Sequence, residues 1–134
     1  MPGSKFNHQQ LAVLDAAFGS GSPATWYLAL YTVAPTAGGG GTEVSGGAYA
    51  RVAVTNNTSN FPAATGSGPA TKLNGAAFTF PTATATWGNV VAFGWFDAAS
   101  GGNGGYWGLL NAVRLVNAAD TPSFAVGALA VTET

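Results

Sequence analysis

The sequence contains no cysteine and few charged residues, and each of these absences excludes a class of function. Without cysteine the chain has neither a disulfide framework nor a thiolate metal site. Its four basic side chains are scattered along 134 residues, whereas binding to nucleic acid needs clustered lysine and arginine. We therefore expect no nucleic-acid partner.

Long apolar segments are missing as well. No apolar run approaches the length that crosses a membrane, so we expect no membrane insertion. The start of the chain has neither the basic residues nor the continuous apolar stretch of a secretory signal, because Asp15 interrupts the one candidate segment. We expect synthesis in a cytoplasm and, for any location outside the cell, release by another route.

Groups suited to catalysis are scarce. The single histidine, His8, has no acid or nucleophile nearby, which favours a solvent-facing or capping role over a catalytic or metal-binding one. The five acidic residues lie far apart in the sequence: Asp15, Glu43, Asp97, Asp120 and Glu133. The sequence predicts no enzyme, no cofactor, and no catalytic, cofactor-binding or metal-binding residues. A glycosidase-like pair of acids brought together by folding is the catalytic alternative.

Two glycine-rich segments have residues that occur in ligand-binding loops. Asp97–Asn103 offers oxygen ligands for calcium, but calcium sites gather several carboxylates and this segment has one. We interpret Asp97 instead as a turn residue whose side chain bonds nearby backbone. Gly38–Gly41 lacks the lysine and the following helix of a phosphate-binding loop, so we expect the segment that contains it, Ala34–Gly47, to be a mobile surface loop.

The chain is rich in aromatic and β-branched residues, which lie between glycine-rich turns. Phe78–Leu110 holds three of the four tryptophans and contains two apolar runs, Trp87–Asp97 and Tyr106–Leu110. The connection Ala98–Gly105 is rich in turn residues, so this stretch predicts a β-hairpin around a core of tryptophan and phenylalanine. Gly94, between large residues, marks a bulge or a place where a ring approaches the backbone closely.

Four aromatic residues of this hairpin could line a sugar-binding surface: Trp95, Phe96, Tyr106 and Trp107. Carbohydrate sites favour the faces of aromatic rings. Rings at strand spacing, however, are more often part of a core, and that is the interpretation we favour.

A short helix is predicted over Ser4–Phe18, with apolar residues at three- and four-residue spacing. Ser4 or Asn7 is placed to cap its first turn, and Gly19 is placed to end it. Further strands are predicted at Thr25–Val33, Ala48–Thr55, Gly75–Phe80, Ala112–Val116, Ser123–Val126 and Ala128–Thr132. Short strands at this spacing predict a mainly β fold, a single antiparallel β-sandwich or jelly-roll-like domain over residues 1–134. Residues 1–18 form an N-terminal arm or helix, and residues 25–134 form the body.

The low charge favours a protein that works in an assembly. Charged residues are 7% of the chain, whereas a soluble domain commonly has about a quarter. A neutral polar surface on an extracellular particle would fit this composition. We favour a subunit whose faces are largely covered by copies of itself or by a partner.

Four segments covering most of the chain resemble a family of small virion structural proteins of tailed bacteriophages: Trp26–Val54, Phe78–Asn103, Tyr106–Leu110 and Val116–Thr132. Members of that family are labelled tail-fibre, minor tail, or capsid decoration (cement) proteins, and they supply no catalytic residues to carry over. The chain departs from the family pattern at Gly104–Gly105, where bulkier apolar residues are expected.

The resemblance implies a virion protein that folds in the host cytoplasm and leaves by lysis. We favour a homo-oligomeric capsid decoration or cement protein that binds the major capsid protein and stabilises the assembled shell, with Met1–Phe18 as the first candidate contact. One alternative is a tail-fibre or minor tail subunit that attaches to a host-surface glycan through exposed aromatic rings. A polysaccharide-cleaving enzyme using Asp97 is a third hypothesis.

Overall fold

The computed structural model describes residues 3–133 and places them in two compact units. The first unit contains residues 3–25, 55–77 and 125–133, and the second contains residues 26–54 and 78–124. The elements in chain order are α1 (Asn7–Ala17), β1 (Thr25–Val33), β2 (Thr42–Glu43), β3 (Val52–Thr55), β4 (Ala70–Leu73), β5 (Phe78–Thr79), β6 (Gly88–Phe96), β7 (Gly104–Val116), β8 (Ser123–Phe124) and β9 (Ala130–Glu133). The first two residues of the predicted arm lie outside the described residues.

The prediction of a mainly β fold with antiparallel strands and a short N-terminal helix is confirmed. Strand β1 pairs antiparallel with β2 and β6, β6 with β7, β4 with β9, and β5 with β8. A jelly-roll topology and a single domain over residues 1–134 stay predictions, and one cooperative unfolding transition would support the latter. Within residues 3–133 no helix has the length and apolar character needed to span a membrane.

In the first unit, α1 contacts β4 and β9 and buries the predicted apolar stripe. Leu14 and Phe18 are fully buried, and the Phe18 ring lies 5.0 Å from the Phe61 ring between centroids. The predicted N-caps are wrong, because the helix begins at Asn7 itself and the capping position is taken by Phe6, which makes no side-chain cap bond. Gly19 follows the helix with φ +100°, as predicted for the residue that ends it.

A buried amide closes the C-terminal end of α1. Asn56 accepts a hydrogen bond from the Gly19 N–H and donates to the carbonyl oxygens of Ala17 (3.1 Å) and Pro23 (2.8 Å). These bonds satisfy backbone groups that the helix end leaves without helical partners. Asn56 therefore holds the turn between α1 and β1 in place.

In the second unit, a five-stranded sheet has the order β2-β1-β6-β7, and β3 also pairs with β1. Strand β1 is interior and buries residues on both faces, as its bulky alternation predicts. One face of the sheet packs on the β5–β8 pair through aromatic rings. Trp95 of β6 meets Phe78 of β5 edge-on, with 5.8 Å between ring centroids. Beside this contact, Phe80 and Phe124 meet at 6.1 Å within the β5–β8 layer.

Several strand boundaries differ from the prediction. The strand predicted from Ala48 begins only at Val52, because Ala48 has φ +65° and so leaves the extended conformation. The runs predicted at 106–110 and 112–116 form one strand, β7, with a break in register. Val90 pairs with Arg114 and Ala92 with Leu109, so residues 110–113 bulge opposite the single residue between them. The predicted strands 75–80, 123–126 and 128–132 are reduced or shifted to β5, β8 and β9.

Candidate functional site

A groove of about 690 Å³ opens on the second unit, on the face of the five-stranded sheet opposite the β5–β8 pair. We call it the Trp107 groove. Strands β1, β6 and β7, a glycine-rich turn and the tip of the β6–β7 hairpin contribute its lining: Tyr31, Pro35, Thr36, Ala37, Gly38, Gly39, Gly40, Gly94, Phe96, Gly102, Asn103, Gly104, Gly105, Tyr106 and Trp107.

Gly94 keeps the floor of the groove open. It pairs with Ala29 on β1 and with Trp107 on β7, so these three residues form one row across the sheet. A Cβ atom on Gly94 would lie 3.2 Å from Cε1 of Phe96 and 3.3 Å from Cε1 of Tyr31. The close approach of rings predicted at Gly94 is confirmed, and a larger residue there would push both rings out of place.

The four candidate aromatic residues are divided between the two faces of the sheet. Trp95 is 2% exposed and belongs to the core, as we predicted, whereas Trp107 is 41% exposed. The core interpretation is therefore wrong for Trp107. Phe96 is half-buried and lines the groove on the Trp107 face, whereas Tyr106 pairs with Trp95 and therefore shares the Trp95 face of the sheet.

Arg51 fixes the end of the groove at the hairpin tip. Its Nε and Nη2 donate to the Glu43 carboxylate at 2.9 and 2.8 Å, and its Nη1 donates to the carbonyl oxygens of Ala98 and Gly101 at 2.9 Å each. The guanidinium carbon also lies 4.0 Å from the centroid of the Phe96 ring. One side chain thus holds both the hairpin connection and a ring that lines the groove.

Tyr49 completes this charged network. Its hydroxyl donates to Oε2 of Glu43 at 2.6 Å and accepts from the Leu30 N–H at 3.0 Å. Burial raises the pKa of Glu43, but hydrogen bonds from Arg51 and Tyr49 outweigh it and hold the pKa below its ordinary value. Burial, together with the bond to Glu43, raises the pKa of the Tyr49 phenol. Glu43 is therefore charged and Tyr49 neutral at pH 7, which suits a structural role better than proton transfer.

Asp97 closes the hairpin connection. Its Oδ1 accepts from the Asn103 N–H at 2.7 Å, and its own N–H donates to the Asn103 carbonyl at 3.1 Å. The turn role predicted for Asp97 is confirmed, although its partner is six residues along the chain and not two. Among residues 3–133, no three His, Cys, Asp or Glu side chains are grouped where they could hold a metal ion.

The remaining sequence candidates are not among the residues that line the groove. His8 is exposed in the first turn of α1, in the first unit. In that unit Asp15 accepts a hydrogen bond from Lys72, and Glu133 accepts one from Lys5. In the second unit Asp120 accepts a hydrogen bond from the Asn117 N–H. Each of these acids is engaged in a hydrogen bond within its own unit.

The sequence analysis missed the contribution of the glycine-rich turn. Thr36 and Gly39 exchange backbone hydrogen bonds of 2.9 Å in both directions, and the Thr36 hydroxyl donates to the Gly39 carbonyl at 3.0 Å. The segment Ala34–Gly47, predicted to be a mobile loop, therefore contains a turn closed by its own hydrogen bonds, and it also contains strand β2, which pairs with β1. Threonine and glycine three residues apart are common in such turns and were the available signal.

Gly105 explains why small residues stand at the hairpin tip. Phe96 pairs with Gly104 and Trp95 with Tyr106, so Gly105 is an extra residue that forms a bulge. A Cβ atom on Gly105 would lie 2.5 Å from Cη2 of the buried Trp26. The family pattern has a bulkier residue at this position, whereas this chain has glycine because the Trp26 ring packs directly against the backbone there.

We expect Gly105→Ala to lower the free energy of unfolding by about 1–3 kcal/mol, because the methyl group overpacks the site against Trp26. Gly104→Ala is the matched control, since its Cβ would lie at an ordinary distance of 3.4 Å from the Phe96 ring. Urea unfolding followed by tryptophan fluorescence measures both variants. Equal losses for the two variants would contradict the assigned register.

Comparison with known proteins gives one family match. A model of the family described as "Podophage GP4 fiber I protein gp80" matches residues 5–132, which is nearly the whole chain. No curated protein matches the chain.

Proposed function

Because the chain belongs to the family of the podophage GP4 fiber I protein gp80, a family of phage virion structural proteins, we propose that it is a subunit of a virion fibre. The observation that carries this proposal is the match over residues 5–132. The matched family is named for a fibre, which favours a fibre over the capsid shell. The capsid decoration role, in which the major capsid protein is the partner, stays a prediction.

An exposed edge strand supports assembly with a further protein surface. Strand β7 pairs with β6 along one side, and within residues 3–133 no strand pairs with its other side. It exposes Leu109, Val113 and Leu115 and carries a single charged residue, Arg114. Soluble proteins commonly protect such an edge with charge or proline, since an open edge is a template for pairing.

We propose that a second copy of the chain pairs along the free side of β7. Edge-to-edge pairing adds a strand beside β7 and leaves the face of the sheet, where the Trp107 groove lies, open. The mass of the purified protein in solution tests this. A multiple of the chain mass that falls to a single chain in Leu115→Lys supports the pairing, and a single chain at every concentration contradicts it.

We propose a structural rather than a catalytic role. Glu43 is paired with Arg51 and Tyr49, and Asp97 is bonded to the Asn103 backbone and side chain. These carboxylates hold the hairpin tip in place through their hydrogen bonds. They are therefore poorly placed to act as a general acid or base in the groove. Incubating the purified protein with polysaccharides and measuring new reducing ends tests this, and turnover abolished by Asp97→Asn would contradict it.

Gold-labelled antibodies raised against the purified chain locate it on phage particles by electron microscopy. We expect label on fibres. Label spread evenly over the shell would support the decoration role and contradict the fibre role. An antibody against the major capsid protein serves as the control for shell labelling, and mildly disrupted particles control for epitopes that assembly covers.

A further inference from the structure

We propose that the Trp107 groove binds a neutral saccharide, with the Trp107 ring as its stacking surface. The proposal goes beyond the structural role, because it concerns the groove of the single chain and does not depend on where the chain sits in the virion. Four properties of the groove carry it: its charge, its aromatic face, its backbone polar groups and its rigidity.

The charge of the lining selects a neutral ligand. None of the residues that line the groove is acidic, basic or histidine. The charged side chains bonded to the hairpin tip are engaged within the protein: Arg51 and Glu43 by a two-point contact, and Asp97 by the backbone N–H and side-chain amide of Asn103. An ionic ligand would lose hydration on entering the groove and gain no opposite charge in return, so a charged sugar is disfavoured.

The exposed ring of Trp107 suits the apolar face of a sugar. A hexose ring presents C–H groups on one face and hydroxyl groups around its edge, so it can stack on an aromatic ring while its hydroxyls remain hydrated. Trp107 is 41% exposed beside the open backbone of Gly94. A tryptophan left so exposed on a sheet face has apolar area available for a ligand.

Backbone groups around the ring can meet the hydroxyls. Gly38 and Gly40 on one side and Gly102, Gly104 and Gly105 on the other carry no side chains that would shield their peptide groups. Asn103 and Thr36 also line the groove. The Asn103 amide nitrogen donates to Asp97 and the Thr36 hydroxyl donates to Gly39, so these two side chains can offer their oxygens as acceptors. Few polar groups around an apolar surface are typical of small-molecule sites, and the volume of about 690 Å³ fits an oligosaccharide of roughly two or three rings.

The groove is held in shape before any ligand arrives. The turn on one side is closed by the Thr36–Gly39 hydrogen bonds. The hairpin tip on the other side is held by Arg51 through the carbonyl oxygens of Ala98 and Gly101, and by the Asp97–Asn103 bonds. Because the loops are already ordered, binding costs less conformational entropy, and the affinity for a ligand that makes few contacts is higher. Several copies in one particle would strengthen attachment to a sugar-coated surface further.

The test uses the purified full chain and a panel of neutral trisaccharides, namely maltotriose, cellotriose and mannotriose, with trigalacturonic acid as the charged comparison. Saturation-transfer NMR detects binding, and titration to millimolar sugar measures its affinity. We expect at least one neutral trisaccharide to bind and Trp107→Ala to weaken that binding at least about tenfold. Val126→Ala is the control, because Val126 is an exposed apolar residue of the first unit and does not line the groove.

A second variant tests the opposite wall. A Cβ atom on Gly38 would approach only Thr36 Oγ1, at 3.9 Å, so Gly38→Gln adds a side chain to the lining without a clash with the fold. We expect this variant to bind the same sugar more weakly and to unfold like the wild type.

Three results would overturn the proposal. One is no saturation transfer from any of the neutral trisaccharides at millimolar concentration. Another is unchanged binding in Trp107→Ala. The third is binding of trigalacturonic acid as tight as that of the neutral sugars. None of these results bears on the fibre location, which the gold-labelling experiment decides separately.

Discussion

Replacing Arg51 with alanine is expected to lower the free energy of unfolding of the second unit by about 3 kcal/mol, because it leaves the Glu43 charge in a partly buried site without its partner. The substitution also removes two hydrogen bonds to the hairpin connection and the contact with the Phe96 ring. All four tryptophans lie in this unit, so urea unfolding followed by their fluorescence reports on it.

Arg114→Ala is the control for Arg51→Ala. Arg114 also lies over a ring, at 4.9 Å from the Phe124 centroid, and donates to the Ser123 carbonyl, but it is exposed. We expect its loss to cost less than about 1 kcal/mol. If Arg114→Ala lowered the free energy of unfolding as much as Arg51→Ala does, burial of the Arg51–Glu43 pair would not be the cause of the effect of Arg51→Ala.

The same pair gives the second unit a dependence on pH. The pKa of Glu43 is lower in the folded protein than its ordinary value of 4.5, so its stabilising contribution is present above pH 4.5 and is lost as pH falls through the folded pKa. The difference in stability between wild type and Arg51→Ala should therefore shrink in acid. A difference that stays constant from pH 7 to below the ordinary pKa would contradict the charged pairing.

In the first unit, Asp15→Ala is expected to cost about 3 kcal/mol, because it leaves a buried ammonium group with too few partners. The Lys72 side chain is 2% exposed, and its Nζ donates to Oδ1 of Asp15 at 2.7 Å and to the Pro62 carbonyl at 2.9 Å. The Asp15 side chain is 48% exposed. The two partners of this ion pair therefore differ sharply in burial.

Lys72→Met is the matched comparison for Asp15→Ala and is expected to cost less than about 1.5 kcal/mol. The methionine keeps most of the buried volume, and Asp15 remains in contact with water. Asp15 also keeps its bond from the Ala64 N–H at 2.9 Å. Far-UV circular dichroism of α1 during urea unfolding measures both variants. A larger decrease in the free energy of unfolding for Lys72→Met than for Asp15→Ala would contradict the claim that Lys72 carries the buried charge of this pair.

Strand β1 could be predicted because its signal is local. Its nine residues alternate with bulk on both faces, which is sufficient to indicate an interior strand. The length of β7 could not be predicted, because the bulge at residues 110–113 is defined only by the register with β6. The late start of β3 could not be predicted either, because alanine rarely adopts the positive φ that Ala48 has.

The groove was partly accessible from the sequence. Its aromatic residues were identified as candidates, and the alternation along β6 already places Trp95 and Phe96 on opposite faces of the strand. The sequence alone does not show that Ala29, Gly94 and Trp107 form one row across the sheet, because this row depends on two separate strand pairings. The buried amide of Asn56 was missed for the same reason, because its partners Ala17 and Pro23 are more than thirty residues away.

The number of copies of this chain in purified phage particles tests the central claim most directly. Quantitative mass spectrometry with labelled peptides can scale it against the major capsid protein. A fibre subunit should be present at a small fraction of the capsid protein and should be removed together with the fibres when these are sheared off. A copy number comparable to that of the capsid protein, or absence from the particles, would contradict the account.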